Sequence, residues 1–354
     1  MTKLLVVLAA LLIAAPLVAQ APGVRPAPLR QGPPPPAAIS QDTLFARLTH
    51  ALDSLSAAGQ FSGVAVVAKG GVPLYQRAYG EADVAHHRAN AIGTAFNVGS
   101  INKIFTNIAI HQLVAEGKMS LDSTVGAYWP DYPNAEVAKR VTVRELVEMR
   151  SGLGGDVFGA PPGKKPNDIR KLSDFLPLFV NAPPLFPPGT DQKYCNPGYV
   201  LLGLLIERVT GESYYDYVRE HIYRPAGMTG TAHYAVDSLP PNAAIGYTVS
   251  NGEDGADSQT RHPNSALLPG RGSSAGGGYS TAGDLVRFIE ALRERKIPDG
   301  PGPGLGIAGG TAGVNAIIDG DLPGGYDLVV LTNLDPPAAM TVGQLVRGWL
   351  GARE

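Results

Sequence analysis

Cysteine is almost absent from this chain: Cys195 is the only one among 354 residues. A lone thiol excludes an intrachain disulfide, so the fold has to rest on its core. Charge of one sign is lacking too. The 29 basic and 31 acidic residues leave a net charge of −2, and the basic residues are scattered, which gives no footprint for nucleic acid. The seven histidines, the His86-His87 pair included, show no metal-ligand spacing with acids or with the cysteine, so no metal and no cofactor is expected. Past the first twenty residues no apolar run is long enough to cross a bilayer, so no stable membrane insertion is expected.

What is present begins with a leader. Met1-Thr2-Lys3 precedes an apolar run from Leu4 to Val18 and small residues at Ala19 and Ala21. One basic residue, a short apolar stretch and a small-residue end read as a secretory signal peptide over residues 1–19, with cleavage after Ala19. Residues 20–41, with Pro33 to Pro36 in a row, read as a polyproline linker. The body then runs over residues 42–351, and the expected product is secreted or periplasmic and a monomer.

Hydrophobic periodicity divides that body. Thr43 to Ala58 places Leu44, Leu48, Leu52 and Leu55 on one helix face. Phe61 to Ala68, Lys69-Gly70-Gly71, and Val72 to Tyr79 read as a β-hairpin. Helical patterns follow: one opening at Ser100, one over Thr142 to Arg150 with Thr142 as cap, one over Tyr199 to Thr210 ending at Gly211, and one over Tyr214 to Ile222. Asn315 to Ile318 and Tyr326 to Thr332 read as buried strands, and Ala338 to Leu350 as a closing helix. Strands at both ends with helices between them predict an α/β (α+β) fold. In it one sheet lobe, about residues 42–98 and 268–351, carries a helical lobe, about residues 99–267, with a cleft between them.

Ser100-Ile101-Asn102-Lys103 lies where strand territory gives way to helices. Residues three apart share a helix side, so the Ser100 hydroxyl and the Lys103 ammonium can meet. Burial at a helix start favours the neutral amine, which can then accept a serine proton. The same four residues also read as a serine N-cap followed by a solvated lysine. A second cluster, Tyr194-Cys195-Asn196, offers a phenol that can exchange protons with a lysine and a carboxamide that can hold a lysine and a carbonyl. Taken alone, it reads as an ordinary polar loop.

Several segments in order resemble one family. FNVGSINKIFTNIAIHQLVAEGKMSLD (96–122) is similar to the S-x-x-K helix of serine β-lactamases and penicillin-recognising enzymes, in particular their class C and esterase-like branch. VTVRELVEMRSGLGG (141–155), FPPGTDQKYCNPGYVLLGLLIERVTG (186–211), RPAGMTGT (224–231), GRGSSAGGGYSTAGDLVRF (270–288) and YDLVVLTNLD (326–335) resemble later segments of that branch. The resemblance implies the β-lactamase/transpeptidase-like fold, an antiparallel sheet flanked by helices plus an all-helical lobe. It implies a serine hydrolase working through an acyl-enzyme on a small-molecule or peptide acyl substrate. Ser100 would be the nucleophile, Lys103 would take or relay its proton, Tyr194 would assist the leaving group and later the water, and Asn196 would orient Lys103 and the substrate carbonyl. The Lys103 and Tyr194 roles are open to sharing.

The third motif departs from the family. Where Lys-Thr-Gly or His-x-Gly is usual, the matching stretch has Ile307-Ala308-Gly309-Gly310, so no cation or imidazole stands there. Ile307, Gly309 and Gly310 are the implied substrate-binding positions, with the Gly310 N–H beside that of Ser100 as oxyanion donor. Arg271 is a candidate replacement cation for a substrate carboxylate. Otherwise an apolar position 307 favours neutral esters or amides. A connection between Leu292 and Leu305 that is short for the family suggests an open site. The alternative is a binding or sensor protein that kept the fold and lost turnover. Gly272-Ser273-Ser274-Ala275-Gly276 imitates a nucleophile elbow but lacks a strand before it and a histidine after it, so it reads as a glycine-rich loop lining the cleft. Cys195 reads as structural.

Overall fold

Val64, Val66 and Ala68 point to one side of strand β1 (Gly63–Lys69), Ala65 and Val67 point to the other, and all five are buried. That alternation with no polar face marks a strand packed on both sides. The computed structural model describes residues 39–250, 260–302 and 304–351. The expected signal peptide, residues 1–19, lies outside the described residues, as does the proline-rich stretch through residue 38.

β1 belongs to a five-stranded sheet with β2 (Val72–Tyr79), β3 (Gly306–Thr311), β4 (Val314–Leu322) and β5 (Tyr326–Thr332). Its order is β2-β1-β5-β4-β3 and every neighbouring pair is antiparallel. Numbering only the longer helices, α1 is Gln41–Ala57, α2 Asn102–Ala115, α3 Asn196–Thr210, α4 Ala282–Arg293 and α5 Ala338–Leu350. One sheet face packs Ala65, Val67, Ile317 and Val330 against Leu44, Leu48 and Leu52 of α1 and Val342 and Val346 of α5. The other packs Val64, Val66, Ile318 and Val329 into a larger core that runs on through α2, α3 and α4. This is the expected antiparallel sheet flanked by helices.

Local differences from the pattern have physical reasons. α1 starts at Gln41, because the Ser40 hydroxyl accepts from Thr43 N at 3.2 Å and caps it. Thr142 and Glu145 form a reciprocal capping box, but that helix is only Val143–Val147, and the chain turns at Met149 with φ 57°. α3 begins at Asn196 instead of Tyr199: Pro197 and Gly198 fit the first turn, where the proline needs no N–H partner. Tyr214–Val218 is followed by a wider π turn over Arg219–Tyr223. The predicted strand at Asn315 extends to Val314–Leu322.

α2 departs most. Its pattern suggested one apolar face, yet Asn102, Lys103, Thr106 and Gln112 are buried along with Ile104, Phe105, Ile108 and Leu113. The helix sits inside the larger core, so its polar residues are enclosed as well. Phe105 anchors it, with edge-on contacts at 5.0 Å to both Tyr223 and Phe288. Phe105→Ala should destabilise the protein by about 3–5 kcal/mol, measured by urea unfolding. A loss below that range would mean that the surrounding core collapses onto the space.

Candidate active site

A short 3-10 turn, Gly99–Ile101, carries Ser100 into α2. The turn is entered through Gly99 at φ 52°, held by its N–H donating to Asn97 Oδ1 at 2.9 Å. A side chain at Gly99 would be strained by that φ, and its Cβ would stand 3.0 Å from Gly310 N. The turn therefore lies directly against β3, the edge strand of the sheet.

Lys103 follows one turn later and is buried. Its Nζ lies 2.7 Å from Asn196 Oδ1, 2.5 Å from Ala275 O and 3.2 Å from Ser100 Oγ. Among the described residues no carboxylate contacts it. Burial without a countercharge lowers the ammonium from its ordinary value of 10.5 to about 7. The neutral amine has two protons and one lone pair. Asn196 Oδ1 and Ala275 O can only accept, so they take the two protons, and the lone pair is left for the Ser100 hydroxyl.

Tyr194 reaches Ser100 from the segment just before α3, its hydroxyl donating to Ser100 Oγ at 2.5 Å. The ring lies over Lys103, with Nζ 4.7 Å from its centroid. Burial raises the Tyr194 phenol, the opposite of its effect on Lys103. Near neutral pH about half of the lysine is therefore free amine while the phenol keeps its proton, which makes the amine the available base and the phenol a donor. Ser100, Lys103, Tyr194 and Asn196 therefore converge on one atom, Ser100 Oγ or its immediate partner.

The third-motif stretch is brought to the same place. Gly310 pairs with Asn315 across the β3–β4 hairpin. Alternation from the Thr311–Val314 turn pair puts the Gly310 N–H on the open edge of β3, the edge that faces the Ser100 turn. Gly309 is required by closeness: a Cβ there would stand 2.1 Å from Val98 O and 3.0 Å from Ser100 N. Ile307 is half-buried and shares the Lys103 side of the cleft with Ile104, Leu305, Ala308, His111 and Asp299. On the far side of Ser100 the wall is mostly apolar, with Val157, Phe175, Val236 and Leu268 beside Gly276 and Gly310.

Arg271 does not stand in for the missing cation. It is absent from the described residues that line the cleft beside Ser100. Its Nε donates to His233 O at 2.8 Å and its guanidinium stacks 3.7 Å from the Tyr215 ring centroid. The Gly272–Gly276 loop does line the cleft, as expected, and no helix begins until Ala282. Cys195 is buried and caps α3, its Sγ accepting from Gly198 N at 3.3 Å. Burial raises its thiol, which keeps it unreactive. Sequence reasoning missed the Ala275 carbonyl as a partner of Lys103, since a backbone acceptor 172 positions away leaves no side-chain signal.

The fold agrees with the comparisons to known proteins. The Beta-lactamase family profile matches residues 48–305, and the chain belongs to that family. The match ends just before β3, so Ile307 lies beyond it. The chain is similar to the putative penicillin-binding protein PbpX of Bacillus subtilis, 31% identical over 238 residues, covering 67% of this chain and 56% of that protein. It is also similar to the esterase EstB of Burkholderia gladioli, 30% identical over 288 residues and 73% of each chain. A penicillin-binding protein of solved structure from Bacillus halodurans superposes with a TM-score of 0.71 at 29% identity, covering 84% of this chain and 99% of that one. The chain spans about half the length of the penicillin-binding relatives it matches. The β-lactamase/transpeptidase-like fold is thereby established for this chain.

The two glycines of β3 separate closeness from sequence. At Gly309 an added Cβ meets fixed backbone at 2.1 Å, whereas at Gly310 its nearest contacts are side chains, the Pro336 ring at 2.9 Å and Asn315 Nδ2 at 3.4 Å. Gly309→Ala should therefore lose about 1–3 kcal/mol, and Gly310→Ala clearly less, in parallel urea titrations. Equal losses would contradict the contact of β3 with the Ser100 turn.

Proposed function

We propose that this chain is an exported serine hydrolase that acts on neutral esters or amides through an acyl-enzyme at Ser100. The observation that carries this reading is the Lys103 amine. It is buried, uncharged in half its population near pH 7, and has one lone pair left for Ser100 Oγ at 3.2 Å. A serine without a base is a poor nucleophile, and this contact supplies one without histidine.

The steps follow from that arrangement. Ser100 Oγ attacks the substrate carbonyl carbon while its proton passes to Lys103 Nζ. The N–H groups of Ser100 and Gly310 stabilise the oxyanion of the tetrahedral intermediate. Collapse breaks the bond to the alcohol or amine, which takes the Tyr194 proton, and the Lys103 ammonium returns a proton to Tyr194. Water then enters by the reverse relay, releasing the acid and restoring Ser100. Asn196 holds Lys103 through Oδ1 and leaves its amide nitrogen for the substrate.

Specificity rests on Ile307 and Arg271. With an isoleucine at the third motif and Arg271 occupied by Tyr215 and His233, neither position supplies a cation for a substrate carboxylate. A side chain that can neither pair with a carboxylate nor pass a proton favours neutral substrates. The other reading, a binding protein without turnover, draws on that same loss of a cation. Export of the product rests on the leader alone.

Intact-mass measurement with a fluorophosphonate should show one adduct on the wild type and none on Ser100→Ala. A wild type that forms no adduct favours the binding protein. A short-chain p-nitrophenyl ester should acylate the protein faster than benzylpenicillin does, and the reverse order would overturn the preference for neutral substrates. The acid limb of kcat/KM for the ester follows the neutral fraction of Lys103. That fraction grows as pH rises, so the rate should climb through a midpoint near pH 7. A rate that does not change between pH 5 and 9 would exclude Lys103 as base.

A further inference from the structure

Four consecutive carbonyls of the loop after Arg271 each receive a side-chain donor. Gly272 O accepts from the Tyr215 hydroxyl at 2.9 Å and Ser273 O from His233 Nε2 at 3.3 Å. Ser274 O accepts from Thr106 Oγ1 at 2.6 Å and Ala275 O from Lys103 Nζ at 2.5 Å. Loop carbonyls ordinarily face water, but Ser273, Ser274 and Ala275 are buried here. The fourth donor is the candidate base. The first three belong to no part of the proposed chemistry.

The donors are themselves braced. Thr106 has one hydroxyl proton, given to Ser274 O, so the Tyr214 hydroxyl 2.8 Å away donates to it in turn. The Tyr215 ring carries the stacked Arg271 guanidinium, and Arg271 Nε holds the His233 carbonyl. For His233 Nε2 to donate, it must carry the ring proton. Nδ1 is then the bare nitrogen, and it is buried with no hydrogen-bond partner. Burial, followed by the Arg271 charge, holds that ring uncharged down to about pH 3, so the donor does not change across the working range.

We propose that Thr106, Tyr215 and His233 are positioning residues that hold the Gly272–Ala275 loop so that the Ala275 carbonyl fixes the Lys103 amine and directs its lone pair at Ser100. The proposal rests on the reading of Ser100 as nucleophile. Thr106 is the sharpest element. It stands three residues after Lys103 on α2, so two donors on one helix side grip two adjacent carbonyls. Without the Thr106 hydroxyl the Ser274–Ala275 peptide can tilt and carry Ala275 O away. Lys103 then keeps Asn196 alone, and its lone pair is free to swing off Ser100. A carbonyl also stabilises an ammonium more than an amine, so its withdrawal lowers the Lys103 titration further. The other titratable groups beside Lys103 are Tyr194, Cys195 and Tyr199 around α3, His111 on α2, and Asp299 ahead of β3. Lys103 remains the group that the carbonyl touches.

The test compares Thr106→Val, which keeps the volume and removes the donor, with Thr106→Ser, which restores a hydroxyl, and with Tyr215→Phe. Two readouts are taken: ester kinetics against pH, and the Lys103 titration followed by NMR on carbon-13-labelled lysine, assigned with Lys103→Met. Thr106→Val should lower kcat by roughly ten- to a hundredfold at nearly unchanged KM, and should move the acid limb and the Lys103 titration together to lower pH. Thr106→Ser should recover both, and Tyr215→Phe should shift both in the same direction by less. A folded Thr106→Val with an unmoved limb and titration overturns the proposal, as does a Thr106→Ser as impaired as the valine variant. Should Thr106→Val not fold, Tyr215→Phe decides by the same shift or its absence. A wild type inert to ester and fluorophosphonate overturns the hydrolase reading, and the NMR titration still decides this one.

Discussion

The Lys103 amine, enclosed with two acceptors and no countercharge, is the contact on which the rest of the site depends. A buried ammonium without a carboxylate is costly, and the protein meets that cost by letting the group titrate near neutrality instead of pairing it. Three distant segments must meet for this to happen: α2 brings the lysine, the first turn of α3 brings Asn196, and the Gly272–Gly276 loop brings the Ala275 carbonyl. Each bond uses one amine proton, and what is left over points at Ser100. Base strength and aim thus come from the same packing.

The second constraint is the nearness of the Ser100 turn to the edge of the sheet. Gly99 and Gly309 have to be glycine because a Cβ on Gly99 would press on the Gly309–Gly310 backbone and one on Gly309 on the backbone of Val98 and Ser100. Gly310 follows in the strand with its N–H on the open edge. The edge of a sheet, usually a liability that proteins cover, becomes here the wall of a cleft with a free backbone donor. A short hairpin into β4, central to the core, keeps that edge rigid.

Around this centre the cleft has two walls. The amine side holds Ile307, Leu305 and Ile104, and the opposite side is also largely apolar. The one arginine considered as a carboxylate partner braces Tyr215 and His233 behind the cleft. The nucleophile geometry and the absent cation are therefore separate matters. The first concerns whether acyl transfer can occur, and the second concerns which acyl donors the walls admit.

Much of this was legible in the sequence. Period-two burial in β1 and the leucine stripe of α1 follow from side-chain geometry alone, and so did the sheet with helices on both faces. Ser100 and Lys103 are three residues apart, so their meeting is a local matter of helix spacing. The order of Tyr194 and Asn196 and the loss of a basic residue at Ile307 could likewise be read directly. What could not be read were features that depend on a neighbour's backbone: the Ala275 carbonyl on Lys103, the closeness that demands Gly309, and the diversion of Arg271 onto Tyr215. Nor could α2 be recognised as buried on nearly all sides, since its polar residues look like a wet face until their partners arrive from elsewhere in the chain. Local spacing determined which side chains could do chemistry. Only the tertiary structure decided their protonation and aim, because both depend on how water is excluded and on which carbonyls take its place.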